Sequence, residues 1–260
     1  MSKVDKKSIV KKTCEIVSQE QLTTDVYSVW IQTEGIGKVA KPGQFVSLFS
    51  KSGSKLLPRP ISICEVDVLN DRLRLVYRRI GYGTREYSQM QQGDRIEVMG
   101  PLGNGFPDKD KKALLIGGGV GIPPLVELAK QLDCEMNVVV GYRDELFLVE
   151  DLKKYADVYI ATEDGSEGTK GNVLDAIKAN GIEAEVIFAC GPTPMLRAIK
   201  DYAKEHNIEC YLSLEERMAC GIGACLGCVC KSKEVDYHTN VHNKRICKDG
   251  PVFESSEVEI

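Results

Sequence analysis

Long hydrophobic runs are missing from this sequence. No apolar stretch approaches the roughly 18 residues of a membrane-crossing helix, so a helical membrane protein is not expected. Blocks of basic charge are missing too. The chain has 34 Lys and Arg against 38 Asp and Glu, a formal net charge of −4, which argues against nucleic acid as a partner. The polar opening MSKVDKKSIVKK lacks the apolar core of a signal peptide, and a cytoplasmic location is expected. No internal repeat is present. A composition 43% hydrophobic and 28% charged is that of a globular chain, and 260 residues leave room for two domains with separate cores.

Cysteine, by contrast, is plentiful, with ten in the chain. A reducing cytosol disfavours disulfides. Cys14, Cys64, Cys134, Cys190 and Cys210 are scattered among apolar residues and read as small buried hydrophobes. The segment MACGIGACLGCVC (218–230) is different, crowding Cys220, Cys225, Cys228 and Cys230 into a glycine-rich stretch.

Up to residue 105 the texture is that of strands. Segments 9–17, 24–33, 43–49, 61–68, 71–78 and 94–100 are rich in β-branched and aromatic residues, separated by polar, Gly and Pro breaks. Six such strands predict a small antiparallel barrel, with a helical turn over 84–90. PLGNGFPDKDKK (101–112) reads as a linker. Beyond it, short apolar runs alternate with helical stretches, which predicts a mostly parallel α/β sheet closed by ECYLSLE (209–215). The expected division is a barrel over 1–105, a nucleotide-binding α/β domain over 106–215 and a cysteine-bearing subdomain over 216–260.

LLIGGGVGIPPLVELA (114–129) is a strand, a glycine turn and a helix. Gly117, Gly118, Gly119 and Gly121 let the backbone approach a phosphate, and the helix N-terminus offers free N–H groups to it. A tight strand-to-helix connection without a ligand is the plainer alternative. After the next strand, GYRDE (141–145) supplies Asp144 and Glu145 to accept hydrogen bonds from a free ribose 2′-OH. This favours NADH over NADPH, with Arg143 pulling weakly the other way.

The spacing Cys220-x4-Cys225-x2-Cys228, followed by a distant Cys247 in ICKDGPVF (246–253), is that of a plant-type [2Fe–2S] site. A four-cysteine zinc site would show paired C-x2-C knuckles, and only one such pair exists here. Cys230 is a surplus thiol and an alternative ligand. His238 and His242 read as loop residues rather than ligands.

GGGVGIPP and ACGPTPM (189–195) resemble the two pyridine-nucleotide signatures of the ferredoxin–NADP reductase superfamily. The resemblance implies that Cys190, Gly191 and Pro192 line the nicotinamide site; packing alone is the alternative for Cys190. In the same superfamily a motif like Arg59-Pro60-Ile61-Ser62 lies against the flavin. A guanidinium fork suits its pyrophosphate, and Ser62 can reach the isoalloxazine edge. Val76, Tyr77 and Arg78 then end a strand beside the ring, and Gly83 and Thr84 open a helix toward a second phosphate. FAD is the implied cofactor.

Taken in order, RPIS, VYR, GT, GGGVGIPP, CGPTPM, EERMACGIGACLGC and CKDGPVF resemble the electron-transfer subunits of type B dihydroorotate dehydrogenases over essentially the whole chain. That resemblance implies electron flow from the FMN of a catalytic partner through [2Fe–2S] and FAD to NAD+, in a heterotetramer serving pyrimidine synthesis. The competing expectations are a subunit of an NADH-dependent ferredoxin:NADP+ oxidoreductase or of a sulfhydrogenase, and a non-enzymatic zinc-binding protein. The stretch 229–246 departs from the pattern.

Overall fold

The computed structural model describes residues 9–51, 56–236 and 240–260. The polar segment 1–8 and His238 lie outside the described residues.

All six expected barrel strands form: β1 Val10–Gln21, β2 Val26–Gln32, β3 Phe45–Phe49, β4 Arg59–Asp67, β5 Arg72–Arg78 and β6 Arg95–Leu102. They close in the order β1-β2-β5-β4-β3-β6 with antiparallel pairing throughout, β1 meeting β6 from Val10↔Gly100 to Glu15↔Arg95. Closure leaves no strand edge unpaired. The interior is filled by buried aliphatics such as Ile16, Ile31, Leu48, Ile63, Leu73 and Leu75. Helix α1 (Tyr82–Tyr87) lies between β5 and β6, two residues earlier than the expected turn, and Tyr87 donates its hydroxyl proton to the Leu48 carbonyl at 2.9 Å.

β6 runs on through Leu102, so the first two residues of the expected linker belong to the barrel. The rest of that segment is tied down rather than free: the Asn104 N–H donates to the Gly250 carbonyl at 2.6 Å.

Next come β7 Ala113–Gly118, a 3-10 turn at Gly119–Gly121, α2 Pro123–Gln131, β8 Met136–Tyr142, α3 Val149–Leu152 and β9 Asp157–Thr162. They are followed by β10 Thr169–Lys170, α4 Val173–Ala179, β11 Val186–Cys190, α5 Thr193–Glu205 and β12 Glu209–Ser213. The C-terminal stretch adds β13 Val229–Asp236, β14 Val241–Arg245, β15 Val252–Glu254 and β16 Val258–Glu259.

The second sheet has the order β10-β9-β8-β7-β11-β12-β15, parallel from β10 to β12. Contrary to the expectation from the sequence, β12 does not close it. β15 returns from beyond the cysteines and pairs antiparallel with β12 through Leu212↔Phe253. Three residues are too few to show a strand period, while burial of Val252 and Phe253 explains why they dock there. β14-β13-β16 form a small third sheet, which accounts for most of the unmatched stretch 229–246. Among the described residues no helix is long and apolar enough to cross a membrane.

One apolar cluster runs from barrel residues Phe45 and Leu102 through Leu214, Ile246, Cys228 and Cys247 to Phe253. Barrel, sheet and cysteine segment therefore meet over one core, and the candidate site lies at that junction.

Candidate functional site

A cleft of about 220 Å³ opens between the barrel, the turn after β7 and the C-terminal end of β12. Pro60, Ile61, Ser62, Val76, Tyr77 and Arg78 line its barrel side. Arg59 lines an adjoining pocket of about 750 Å³ that shares Pro60, Glu215, Glu216 and Met218 with the first. A Cβ on Gly83 would stand 3.1 Å from Arg59 Nε, so the guanidinium lies directly on the glycine that opens α1. The Thr84 hydroxyl accepts from the backbone N–H groups of Ile80 (3.0 Å) and Gly81 (3.1 Å), fixing that turn.

Two placements refine the expectation. Tyr77 is only 2% exposed, stacked on Tyr27 at 6.0 Å with Tyr87 edge-on at 6.2 Å, so it is part of the cleft floor. Its hydroxyl donates to Gln19 at 3.1 Å, and burial raises its pKa. Arg78 Nε is the buried side-chain nitrogen without a hydrogen-bond partner among the described residues; Asp25 lies 3.2 Å away but out of line. A cationic donor left open beside a cleft fits an anionic cofactor such as FAD.

Sequence reasoning missed the other wall: Val120, Ser213, Glu215 and Pro251. Glu215 borders the cleft and both neighbouring pockets, reachable by solvent yet set deep enough that desolvation raises its pKa. Its position just past β12 was a usable signal, because ligands in α/β sheets bind beyond the carboxyl ends of strands.

The nucleotide loop joins this wall. β7 and β11 run side by side to Gly117↔Cys190, so the two glycine-bearing motifs end at the same level. A Cβ on Gly121 would overlap the Cys190 carbonyl, and one on Gly118 would stand 2.6 Å from Met195 Sδ. Gly119 has φ +52° with open space where its Cβ would be, leaving bare backbone for a phosphate ahead of α2. Cys190 is 1% exposed and its thiol, raised in pKa by burial, lies against Ser213. Its side chain is packing, and Gly191 and Pro192 carry the chain past the sheet end. Asp144 is exposed after β8. Glu145 is committed elsewhere: it accepts from Thr24 N–H at 3.2 Å and from Thr24 Oγ1 at 2.9 Å.

The four spaced cysteines come together as two pairs. Cys220 Sγ accepts from the backbone N–H groups of Ala224 (3.2 Å), Cys225 (3.4 Å) and Ile222 (3.5 Å). Gly223 N–H donates to Cys247 Sγ at 3.0 Å, Gly227 N–H to Cys225 Sγ at 3.4 Å and Cys247 N–H to Cys228 Sγ at 3.4 Å. Partial burial opposes ionisation of Cys220, yet the N–H donors and Cys225 lower its pKa to about 6. Burial and the adjacent Cys228 push Cys247 up to about 12. The thiols thus approach as two pairs, Cys220 with Cys225 and Cys228 with Cys247, and no three metal-binding side chains among the described residues converge on a single ion. Two thiolates for each of two irons fit that donor set. Gly221 and Gly223 turn the loop at φ +70° and +81°. Cys247 sits in a turn braced by Asp249, which accepts from Arg245 N–H (2.8 Å) and Nε (2.9 Å). Cys230 lies in β13 opposite Lys244, and His242 faces Lys233 O at 2.9 Å.

A closed antiparallel barrel bordering a cleft, a parallel sheet presenting a glycine loop to it and an appended loop with two pairs of cysteines define a reductase of the ferredoxin–NADP reductase type carrying an iron–sulfur module. A family model described as the iron–sulfur cluster binding domain of dihydroorotate dehydrogenase B matches residues 215–259. The chain is 41% identical over 262 residues to the dihydroorotate dehydrogenase B (NAD(+)) electron transfer subunit of Geobacillus kaustophilus, covering 96% of this chain and 99% of the relative. It is also 41% identical to that of Fusobacterium nucleatum, covering 95% and 98%. The chain belongs to the family of dihydroorotate dehydrogenase B (NAD(+)) electron transfer subunits. Among solved structures, that of an NADH-dependent reduced ferredoxin-NADP oxidoreductase superposes with a TM-score of 0.85 at 30% identity, covering 95% of this chain and 89% of the other. A ferredoxin reductase of carbazole 1,9a-dioxygenase, at TM-score 0.65 and 21% identity over 77% of this chain and 67% of its own, shares the fold.

Proposed function

We propose that this chain carries electrons from the FMN of a dihydroorotate-oxidising partner to NAD+ in pyrimidine synthesis. The observation that carries the reading is the continuity of the site: Met218 lines the flavin cleft and stands two residues before the thiolate Cys220. When bound, FAD exchanges a two-electron hydride with the nicotinamide and single electrons with the cluster.

The chain's own residues supply the rest. Arg59, Gly83 and Thr84 suit the flavin phosphates, with Arg78 as a further cation. Pro60, Ile61, Ser62, Val76 and Tyr77 form the wall and floor for the ring. Gly117, Gly118, Gly119 and Gly121 receive the dinucleotide phosphates, Asp144 accepts from the ribose, and Gly191 and Pro192 border the nicotinamide. Cys220, Cys225, Cys228 and Cys247 hold the cluster, with backbone N–H groups stabilising the thiolates. The functional segments are 1–105 for FAD, 106–215 for NAD and 216–260 for the cluster, with β15 lent to the nucleotide sheet. The active assembly is a cytoplasmic heterotetramer of two of each subunit, bound to neither membrane nor nucleic acid.

The test is dihydroorotate:NAD+ oxidoreduction by this chain with and without the FMN-containing subunit. Turnover is expected with both present. Alone, the chain should reduce artificial acceptors with NADH and leave dihydroorotate untouched. Turnover of dihydroorotate by the pure chain would sink the reading, as would inactivity of the reconstituted pair. A kcat/KM for NADPH at or above that for NADH would overturn the role of Asp144.

A further inference from the structure

The segment from Arg143 to Asp151 leads from β8 into α3, and the barrel holds it at Glu145 near one end and at Asp151 at the other. At the first end, Thr24 donates its N–H and hydroxyl to the Glu145 carboxylate. At the other, Asp151 Oδ1 lies 3.2 Å from Arg74 on β5. The Arg74 side chain is 8% exposed, and Ser28 at 3.0 Å, Glu20 at 3.4 Å and Glu65 at 3.6 Å already surround it within the barrel. The pair to Asp151 is the contact that crosses to the nucleotide sheet, and Lys154 one turn along also faces that carboxylate at 3.0 Å.

Beyond Glu145, Phe147, Leu148 and Val149 are buried and pack with α2 residues, while 143–145 and Glu150 are exposed. Leu148 takes φ +62°, a left-handed conformation that is costly for a residue bearing a Cβ and is kept by its surroundings. The helix below is held as well. Glu127 of α2 accepts from Val66 N–H at 2.7 Å, and Lys130 donates to Val66 O at 2.7 Å. The exposed tip carrying Asp144 thus lies between the end of β8 and the Glu145 contact, and the stretch behind it is held at Asp151 over a floor anchored to β4.

We propose that Thr24 and Arg74 are positioning residues for the dinucleotide: by holding Glu145, the residue next to Asp144, and Asp151 at the far end of the same segment, they set where Asp144 stands. This rests on the reading of Asp144 as the ribose acceptor. Dinucleotide affinity then depends on barrel side chains that never touch the nucleotide, because holding the acceptor in place beforehand reduces the ordering cost of binding.

The test uses the flavin- and cluster-loaded chain. Asp151→Asn removes the crossing charge while Glu20 and Glu65 still neutralise Arg74, and Thr24→Val removes the hydroxyl donor. In the double variant, KM for NADH should rise about fivefold or more with kcat for an artificial acceptor within about twofold. Amide hydrogen exchange should accelerate over 143–152, flavin and cluster absorption should be unchanged, and Asp151→Glu should restore most of the affinity. A wild-type KM would overturn the inference. So would a loss of kcat or flavin at constant KM, which would assign the contacts to the fold alone. Asp144→Ala separates the two readings: an unchanged KM there overturns the ribose assignment, whatever the clamp variants do.

Discussion

At the scale of single residues, the five thiols of the C-terminal stretch are set apart by what points at them. Cys220 faces Cys225 and Cys228 faces Cys247, each accepting at least one backbone N–H, whereas Cys230 lies in β13 opposite Lys244 rather than another thiol, raised in pKa by burial. Cys225→Ala should abolish the visible absorption of the cluster and leave that of the flavin. Cys230→Ala should keep both, at a cost in stability of about 1 kcal/mol. Absorption spectra of the two variants decide the matter, and the reverse pattern would remove Cys225 from the ligand set. Met218 illustrates a different point. Two residues before Cys220, its apolar side chain lines the cleft, leaving Ile222 and Leu226 as the exposed pair.

At the scale of elements, the two glycine motifs meet in a tight fit. A methyl on Gly121 would stand 2.6 Å from the Gly191 Cα. Gly121→Ala must therefore separate the β7–α2 turn from β11, with an expected loss of about 1–3 kcal/mol from overpacking and weaker NADH binding. Urea unfolding and the KM for NADH measure both, and a variant indistinguishable from the parent would show that the turn yields freely. β12 offers a pH handle. Lys109 and Lys111, each 2.6 Å from Glu209, and the Tyr211 hydroxyl at 2.7 Å lower its pKa from 4.5 to about 2. A depressed carboxylate contributes stability above its unfolded value and loses it as the pH falls from 4.5 toward 2. Over that window the parent should lose stability more steeply than Glu209→Gln in denaturant titrations. Parallel slopes would mean that the lysines are held by solvent instead.

At the scale of the whole molecule, the cluster loop presents its apolar side chains outward. Ile222 is 44% exposed and Leu226 42%, on either side of the exposed Cys225. Apolar side chains beside a redox centre suit a partner that must come close. Ile222→Lys with Leu226→Lys should weaken co-purification with the FMN subunit at least about tenfold, through two charges facing a desolvated interface, and spare NADH oxidation by artificial acceptors. Undiminished co-purification would place the partner elsewhere.

The strands of the barrel and the alternation of the nucleotide sheet were legible in the sequence because each carries its own periodicity. The cysteine spacing was legible because iron–sulfur coordination works over a few residues of chain. Arg59, the glycine loop and Asp144 could be named for the same local reason. What local pattern could not contain was decided in three dimensions. β15 docks beside β12 after about forty intervening residues, two motifs distant in sequence abut at Gly121 and Cys190, and Glu215 joins the flavin cleft only because the sheet ends there. Glu145 shows the limit most plainly. Its position beside Asp144 marks it as a second ribose acceptor, but Thr24, 121 residues away, already holds its carboxylate. Side-chain chemistry is a property of the residue, whereas its availability depends on neighbours that only the folded chain brings within hydrogen-bonding distance.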